Sequence, residues 1–360
     1  MKKMPVSWPT TKVTQLLGIS FPIIQAPMAG GATIPELVAA VSNAGGLGSF
    51  AAGYLTAEEI KLSIIEIRKL TDKPFAINLF VPEKHHATTE QMADAAKAIQ
   101  SVTQELNFTI NAVEPPYAPS FDEQMAVILD EKIPIFSFTF GIPADEWLVK
   151  FKHAGIKLIG TATTLPEASM LEDKEVDLIV AQGSEAGGHR GTFLGKAEDA
   201  LIDVESLTSM LVNHTHVPIV SAGGIMDAKK ILTLLKLGAD GVQMGTAFLA
   251  CTESGIHPDY KKLLLKTAYD NTTLTRAFSG KLARGLTNEF IIRMKAFENF
   301  ILDYPIQNKL TSMMRKEAGK QNNIDFMSMW AGQAHYLCKE ISAGRLVQDL
   351  NLEVTKLLKN

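Results

Sequence analysis

A chain of 360 residues with 46% hydrophobic and 21% charged side chains is long and apolar enough to bury a large core, as one big domain or as a domain with a substantial appendage. Its formal net charge of -4, without any long block of like charges, speaks against a surface that tracks a phosphate backbone, so nucleic acid is not an expected partner. Two cysteines, Cys251 and Cys338, cannot build a disulfide framework, and no C-x-x-C pair is present to hold zinc.

The start, MKKMPVSWPTTKVTQLLGISFP, is basic but lacks an apolar stretch of secretory length, and no later segment reaches the roughly 18 apolar residues of a membrane span. A cytoplasmic protein is the expectation. Apolar runs then recur along the chain, each ending in small or turn-forming residues. PIIQAPM (22–28), GLGSFAAG (46–53), FAINLFV (75–81), IPIFSFTFG (133–141), KLIGTATT (157–164), DLIVAQG (177–183), PIVSAGGI (218–225) and GVQMGTAFL (241–249) read as eight strands. Between them lie helical spacings such as TIPELVAAVSNAG and DAKKILTLLKLGA.

Repeated βα units with strands apolar on both faces predict a parallel sheet, and eight of them predict a closed TIM (β/α)8 barrel. Thr33, Thr56 and Asp227 are the expected helix starts, and Gly45, Gly155 and Gly238 the expected stops. Residues 84–130 and 255–332 exceed what a plain barrel needs. Both follow strand C-termini, the catalytic face of barrels, and are expected to cap the mouth. The expected layout is a barrel over 1–254 carrying the 84–130 insertion near its mouth, a cap and substrate domain over 255–332, and a C-terminal segment over 333–360 returning to the barrel. The amphipathic tail SAGRLVQDLNLEVTKLLKN is expected to pack on the barrel.

Glycines close the seventh and eighth strands, in SAGGI and MGTAF. Loops there commonly hold a phosphate, so Gly223, Gly224, Gly245 and Thr246 are candidate phosphate donors; the same glycines could simply shape tight turns. Gln25, Asn78, Thr161 and Gln182 fall at strand ends, and amides that both donate and accept suit the mixed edge of an isoalloxazine ring, although polar residues also close barrel layers. Flavin mononucleotide (FMN) fits this inventory. His189, in AQGSEAGGHRGTF, stands just past the sixth strand, where Gly187 and Gly188 let the loop turn over the mouth. It could take a proton from a carbon acid or hold an anionic substrate, against the plainer reading of a solvated loop histidine. His214 and His216 precede the seventh strand, at the opposite end of the barrel, and His85 and His86 lie in the insertion. No metal site is expected.

In order along the chain, QAPMAGG, NLFVP, QGSEAGGHRG, ADGVQMGTAFLACTES, YPIQNKLTSMMRKEAG and WAGQAH (330–335) closely resemble class I nitronate monooxygenases, formerly 2-nitropropane dioxygenases. The resemblance covers most of the chain. It implies an FMN-bearing barrel with a smaller helical domain over the mouth, and a detoxifying oxidation of alkyl nitronates, especially propionate 3-nitronate, by O2 to an oxo compound and nitrite through a flavin semiquinone. It implies that Ala26, Pro27 and Met28 flank the flavin, with Asn78 and Gln182 at its ring or ribityl chain. Gly223, Gly224, Gly245 and Thr246 would take its phosphate, and Ser221 would be a further cofactor-binding residue. Gly187, Gly188, Trp330, Gly332 and Gln333 would complete the cofactor site, Tyr304 would shape the substrate pocket, and His189 matches the active-site histidine. PIIQ, AVSNAGGLG and EAGGH also resemble flavin-dependent enoyl-acyl-carrier-protein reductases. An NAD(P)H-dependent reductase of that kind, or one acting on quinones, is therefore the rival reading. A flavin-binding protein without turnover is a third.

Overall fold

A computed structural model describes residues 6–83 and 85–359. Met1 to Pro5, Lys84 at the head of the expected insertion, and Asn360 lie outside the described residues. The parallel strands are β1 (Ile23–Gln25), β2 (Gly48–Ala51), β3 (Phe75–Phe80), β4 (Ile135–Thr139), β5 (Lys157–Ala162) and β6 (Leu178–Gln182). After the two-residue β7 (Gly188–His189) come β8 (Ile219–Ala222) and β9 (Gly241–Met244), and then β10 (Thr272–Thr275) and β11 (Ala283–Leu286).

The eight-stranded sheet runs β1-β9-β8-β6-β5-β4-β3-β2 with every pair parallel, and a parallel bridge between Ile24 and Leu47 joins its two ends. The eight expected runs thus supply the eight staves of a TIM barrel. The strands are shorter than the runs: GVQMGTAFL leaves the sheet after Met244 and continues as a short helix, Thr246–Leu249. Inside the barrel, Ile24, Leu47, Ile135, Ile159, Val180 and Val220 form one apolar cluster with Val13 and Leu17 of the helix Lys12–Leu17.

Thr56 and Asp227 cap their helices through side-chain oxygens, the former in a capping box with Glu59. Thr33 does not. The helix Pro35–Asn43 starts from Ile34 without a side-chain cap, and the Thr33 hydroxyl instead accepts from Met28 N–H at 2.9 Å. Gly45, Gly155 and Gly238 all take positive φ where helices end.

The first long stretch contributes to two apolar cores. From 85–130, the helix Thr89–Val102 joins a second apolar core with Leu264, Phe278, Phe290 and Met314. The helix Phe121–Asp130 instead buries Met125 and Ile128 in the barrel's own shell, as the crossover between β3 and β4. The tail helix Ala343–Lys359 buries Leu346, Val347, Leu350 and Val354 in the apolar cluster shared with the helices Pro35–Asn43 and Ala228–Lys236. None of the helices among the described residues is long and apolar enough to cross a membrane.

Candidate functional site

A cavity of about 540 Å³ opens over the C-terminal ends of the strands. Ala26, Pro27, Met28, Asn78, Gln182, Gly187, Gly188, His189, Gly223, Gly224, Gly245, Thr246, Trp330 and Gly332 all line it. Residues from most of the barrel strands and from the far C-terminal region therefore meet at one place. Ser221, Gln333 and Tyr304 do not line it. Side chains alternate along a strand, so while Ala222 faces the cavity the Ser221 hydroxyl turns outward to Thr208 Oγ1 at 2.7 Å. Gln333 is tied by its N–H to Glu185 O at 3.1 Å. Tyr304 is buried behind the lining, its ring 5.6 Å from that of Phe140 and 6.2 Å from that of His189.

At the glycine loops, the backbone N–H groups of Gly223, Gly224, Gly245 and Thr246 donate to no acceptor among the described residues. Gly223 and Gly224 both have positive φ, of 124° and 64°, which turns successive amides toward one side as an anion nest does. The 330–333 segment is held against the His189 loop at contact distance. A Cβ on Gly187 would lie 2.5 Å from Ala331 C and Gly332 N, so only glycine permits that approach. Gly332 N–H donates to Thr246 Oγ1 at 3.0 Å, linking the same segment to the start of the short helix after β9.

Three side chains expected to meet a flavin, Gln25, Gln182 and Asn78, are engaged within the protein. Gln25 is fully buried, accepts from Ser49 N–H at 3.1 Å, and sits in a barrel layer rather than on the cavity. Gln182 lines the cavity, yet its amide donates to His189 O at 3.0 Å and accepts from Gly191 N–H at 2.8 Å, clamping the histidine loop. Asn78 Nδ2 donates to Ser137 Oγ at 2.9 Å, and Thr161 also faces the cavity.

The loop carrying His189 is built more firmly than its glycines suggest. His189 pairs antiparallel with Ala283 and Gly188 with Arg284, so β7 joins β11 and β10 in a three-stranded sheet. Arg190, fully buried, donates to Gly183 O at 2.6 Å and to Gln182 O at 2.9 Å, folding the loop back on β6. Glu167, also fully buried, accepts from Thr163 N–H and Oγ1, both at 2.7 Å, and from the N–H groups of Phe193 at 2.5 Å and Leu194 at 2.9 Å.

His189 Nε2 lies 2.8 Å from Ser279 Oγ. Its ring sits among Trp330 at 5.4 Å, Phe140 at 5.7 Å and Phe80 at 6.4 Å. Burial in that box, reinforced by the positive charges of Lys281 and Arg315, pushes its pKa down to about 3, so the imidazole is neutral at physiological pH. Phe140 holds this place at φ 76°, a conformation costly for an aromatic residue, with the Lys281 ammonium 4.6 Å over its ring.

The two cations differ. Lys281 pairs with Glu83 at 2.6 Å, and Glu83 also meets His85 at 3.0 Å. Arg315 lines the cavity from the helix Ile306–Lys320 and donates to Asn308 O at 2.9 Å and Asn308 Oδ1 at 2.8 Å. Its Nε is buried without a hydrogen bond, it has no carboxylate partner among the described residues, and burial lowers its pKa. Arg315, Ser279, Phe140 and Tyr54, another cavity residue, were missed by the sequence reading. Arg315 lay in the YPIQNKLTSMMRKEAG stretch and Phe140 in the fourth strand run, but neither was picked out within it, and nothing in local pattern distinguishes Ser279 or Tyr54. His257 also lines the cavity, whereas His214 bonds Met210 O at 2.7 Å at a helix end and His216 is exposed near Glu172.

Residues 10–353 match the family described as nitronate monooxygenase. A probable nitronate monooxygenase of Staphylococcus saprophyticus is 40% identical over 97% of this chain and 99% of its own, and one of Staphylococcus haemolyticus is 42% identical over 98% and 99%. Among solved structures, a nitroalkane oxidase from Streptomyces ansochromogenes superposes with a TM-score of 0.88 at 39% identity, covering 96% of this chain and 98% of that one. FabK from Thermotoga maritima does so with a TM-score of 0.77 at 28% identity, covering 97% of both. With its TIM barrel and its histidine over the mouth, the chain belongs to the nitronate monooxygenase family.

Proposed function

We propose that the protein binds FMN over the barrel mouth and oxidises alkyl nitronates with O2, propionate 3-nitronate in particular, to an oxo compound and nitrite. One observation carries the substrate reading: a neutral imidazole and a guanidinium without a carboxylate partner face the same cavity. A desolvated cation is costly unless an anion meets it, so the site suits a negatively charged ligand.

The cavity residues fit FMN. Four unpaired amides at the Gly223–Gly224 and Gly245–Thr246 loops would hold its phosphate, and the 26–28 and 330–332 segments would flank its ring. FMN would supply the electron acceptor for the nitronate. The chain's own residues bind and orient. Arg315 takes the substrate carboxylate, and His189 hydrogen-bonds the nitronate end. With a pKa near 3, His189 is a poor base toward a neutral nitroalkane, so positioning a nitronate that arrives already anionic is the role that fits its electrostatics. The aromatic box of Phe80, Phe140, Tyr304 and Trp330 keeps water from that end. The second apolar core, formed from 255–332 with the helix Thr89–Val102, acts as the cap that selects substrate length.

The test is nitrite release and O2 uptake from propionate 3-nitronate by the purified flavoprotein without a nicotinamide. Stoichiometric nitrite supports the reading. If no nitrite forms while NADH or NADPH bleaches the flavin, the NAD(P)H-dependent reductase reading takes its place.

A further inference from the structure

The structure of the His189–Ser279 pair points to a device for choosing the imidazole tautomer. Ser279 lies between β10 and β11 and is buried, on the same strap whose Leu282 O accepts from Arg190 N–H at 2.8 Å and whose Ala283 pairs with His189. The strap therefore fixes the hydroxyl relative to the ring. The His189 Nε2 faces Ser279 Oγ at 2.8 Å, while Nδ1 has no partner among the described residues and is not sealed from the cavity that His189 lines.

A serine hydroxyl has one proton to give and lone pairs to receive with. Ser279 Oγ accepts from Lys281 N–H at 3.3 Å. Its own proton has two acceptors in reach, Lys281 O at 3.2 Å and His189 Nε2 at 2.8 Å. The shorter contact is to the imidazole. If the proton goes to Nε2, the neutral ring must carry its hydrogen on Nδ1, and Nδ1–H points a donor at the ligand. If it goes to Lys281 O, Nε2–H donates to the serine, and Nδ1 offers a lone pair.

Resting on the nitronate reading above, we propose that Ser279 donates to His189 Nε2 and is the positioning residue that holds the imidazole as its Nδ1–H tautomer, a donor to the nitronate oxygens. A lone pair facing an anion would repel it, whereas an N–H in a water-poor box gives a charge-assisted hydrogen bond. The opposite tautomer would suit removal of a proton from a neutral nitroalkane. One hydroxyl rotation thus separates preference for an anionic substrate from preference for its neutral carbon acid. Lys281, engaged with Glu83, and Arg315 are the charged groups beside the ring, with Tyr304 packed against it.

The experiment has two arms. In the first, the holoenzyme is labelled with 15N-histidine and its ring nitrogens are observed at neutral pH, the His189→Asn variant supplying the assignment. A protonated Nδ1 and an unprotonated Nε2 are expected; a protonated Nε2 overturns the proposal. In the second, Ser279→Ala and Ser279→Thr are compared with the parent on a nitronate and on the corresponding nitroalkane, with flavin content as the measure of folding. Ser279→Ala should lower kcat/KM for the nitronate by about 10- to 100-fold, as for a lost hydrogen bond to a charged group, and lower that for the nitroalkane much less. Ser279→Thr, which keeps the hydroxyl, should recover most of the nitronate activity. An equal fall on both substrates makes Ser279 merely structural and overturns the proposal. Failure of the parent protein to release nitrite from any nitronate would instead sink the functional reading, and the NMR arm would still decide the tautomer.

Discussion

Replacing Arg315 with methionine keeps most of the side-chain length and removes the charge. Among the described residues this guanidinium bonds only to Asn308 O and Oδ1 on its own helix, and its buried Nε has no partner. Removing it relieves an unpaired buried charge at the loss of two local hydrogen bonds, so stability should change by no more than about 1 kcal/mol. Binding should change far more. Truncating one partner of a buried, hydrogen-bonded charge pair costs about 2–5 kcal/mol; the cavity is open at one side, which places this pair near the lower figure, about 2 kcal/mol or roughly 30-fold in KM. The assay is initial-rate nitrite release from propionate 3-nitronate and from an alkyl nitronate of similar length without the carboxylate, with urea titration alongside. KM should rise about 30-fold for the first and change less than about threefold for the second. An equal rise on both substrates would refute the assignment of Arg315 to the carboxylate.

With a pKa near 3, His189 should put no limb on the kcat/KM profile for a preformed nitronate between about pH 5 and 8; an inflection there that vanishes in His189→Asn would contradict its depressed pKa. The same depression bears on stability. Because an unfolded histidine takes its proton near 6.5 and the folded one only near 3, the contribution is full above 6.5 and lost as pH falls toward 3, so lowering pH from 7 to 5 should destabilise the parent more than His189→Asn in urea titrations. Glu167→Gln puts an amide N–H among four donors at the end of the histidine loop, and should lower stability by about 3 kcal/mol, read as a reduced urea midpoint. Gly187→Ala drives a Cβ into the Ala331–Gly332 backbone and should yield a folded protein that retains little FMN; full flavin content would show the two segments can separate without loss of the site.

The barrel was legible because each stave is a short apolar run closed by small residues, and parallel strands covered on both faces leave just that pattern. The glycine loops and His189 followed from their offsets to the strands. What was not legible depended on partners distant in sequence. β7 is two residues long, and its sheet partners lie some ninety residues on, so no periodicity announces it. Thr33 reads locally as a helix cap, but Met28 N–H claims its hydroxyl. The helix Phe121–Asp130 fell within a stretch too long for one crossover, and the length alone could not tell which half belonged to the barrel. Gln182 was placed on the right face, while its engagement with His189 O and Gly191 N–H arises only once the loop has turned back.

The electrostatics of the site connect binding at its two ends. Two positive groups depress His189, and they are not equivalent: Lys281 is already paired with Glu83, whereas Arg315 has no counter-ion among the described residues. A carboxylate arriving at Arg315 therefore weakens one of the two forces that keep the imidazole deprotonated, and a nitronate beside the ring opposes both. If the substrate is propionate 3-nitronate, binding of its two negative charges would raise the proton affinity of His189, and by reciprocity a more basic His189 would bind it more tightly. Desolvation, the largest cause of the depression, is untouched by either anion, so the shift returns the imidazole only part of the way toward its ordinary pKa. The ring therefore stays neutral enough for its tautomer to matter, and a single hydroxyl such as that of Ser279 can decide what it presents to the substrate.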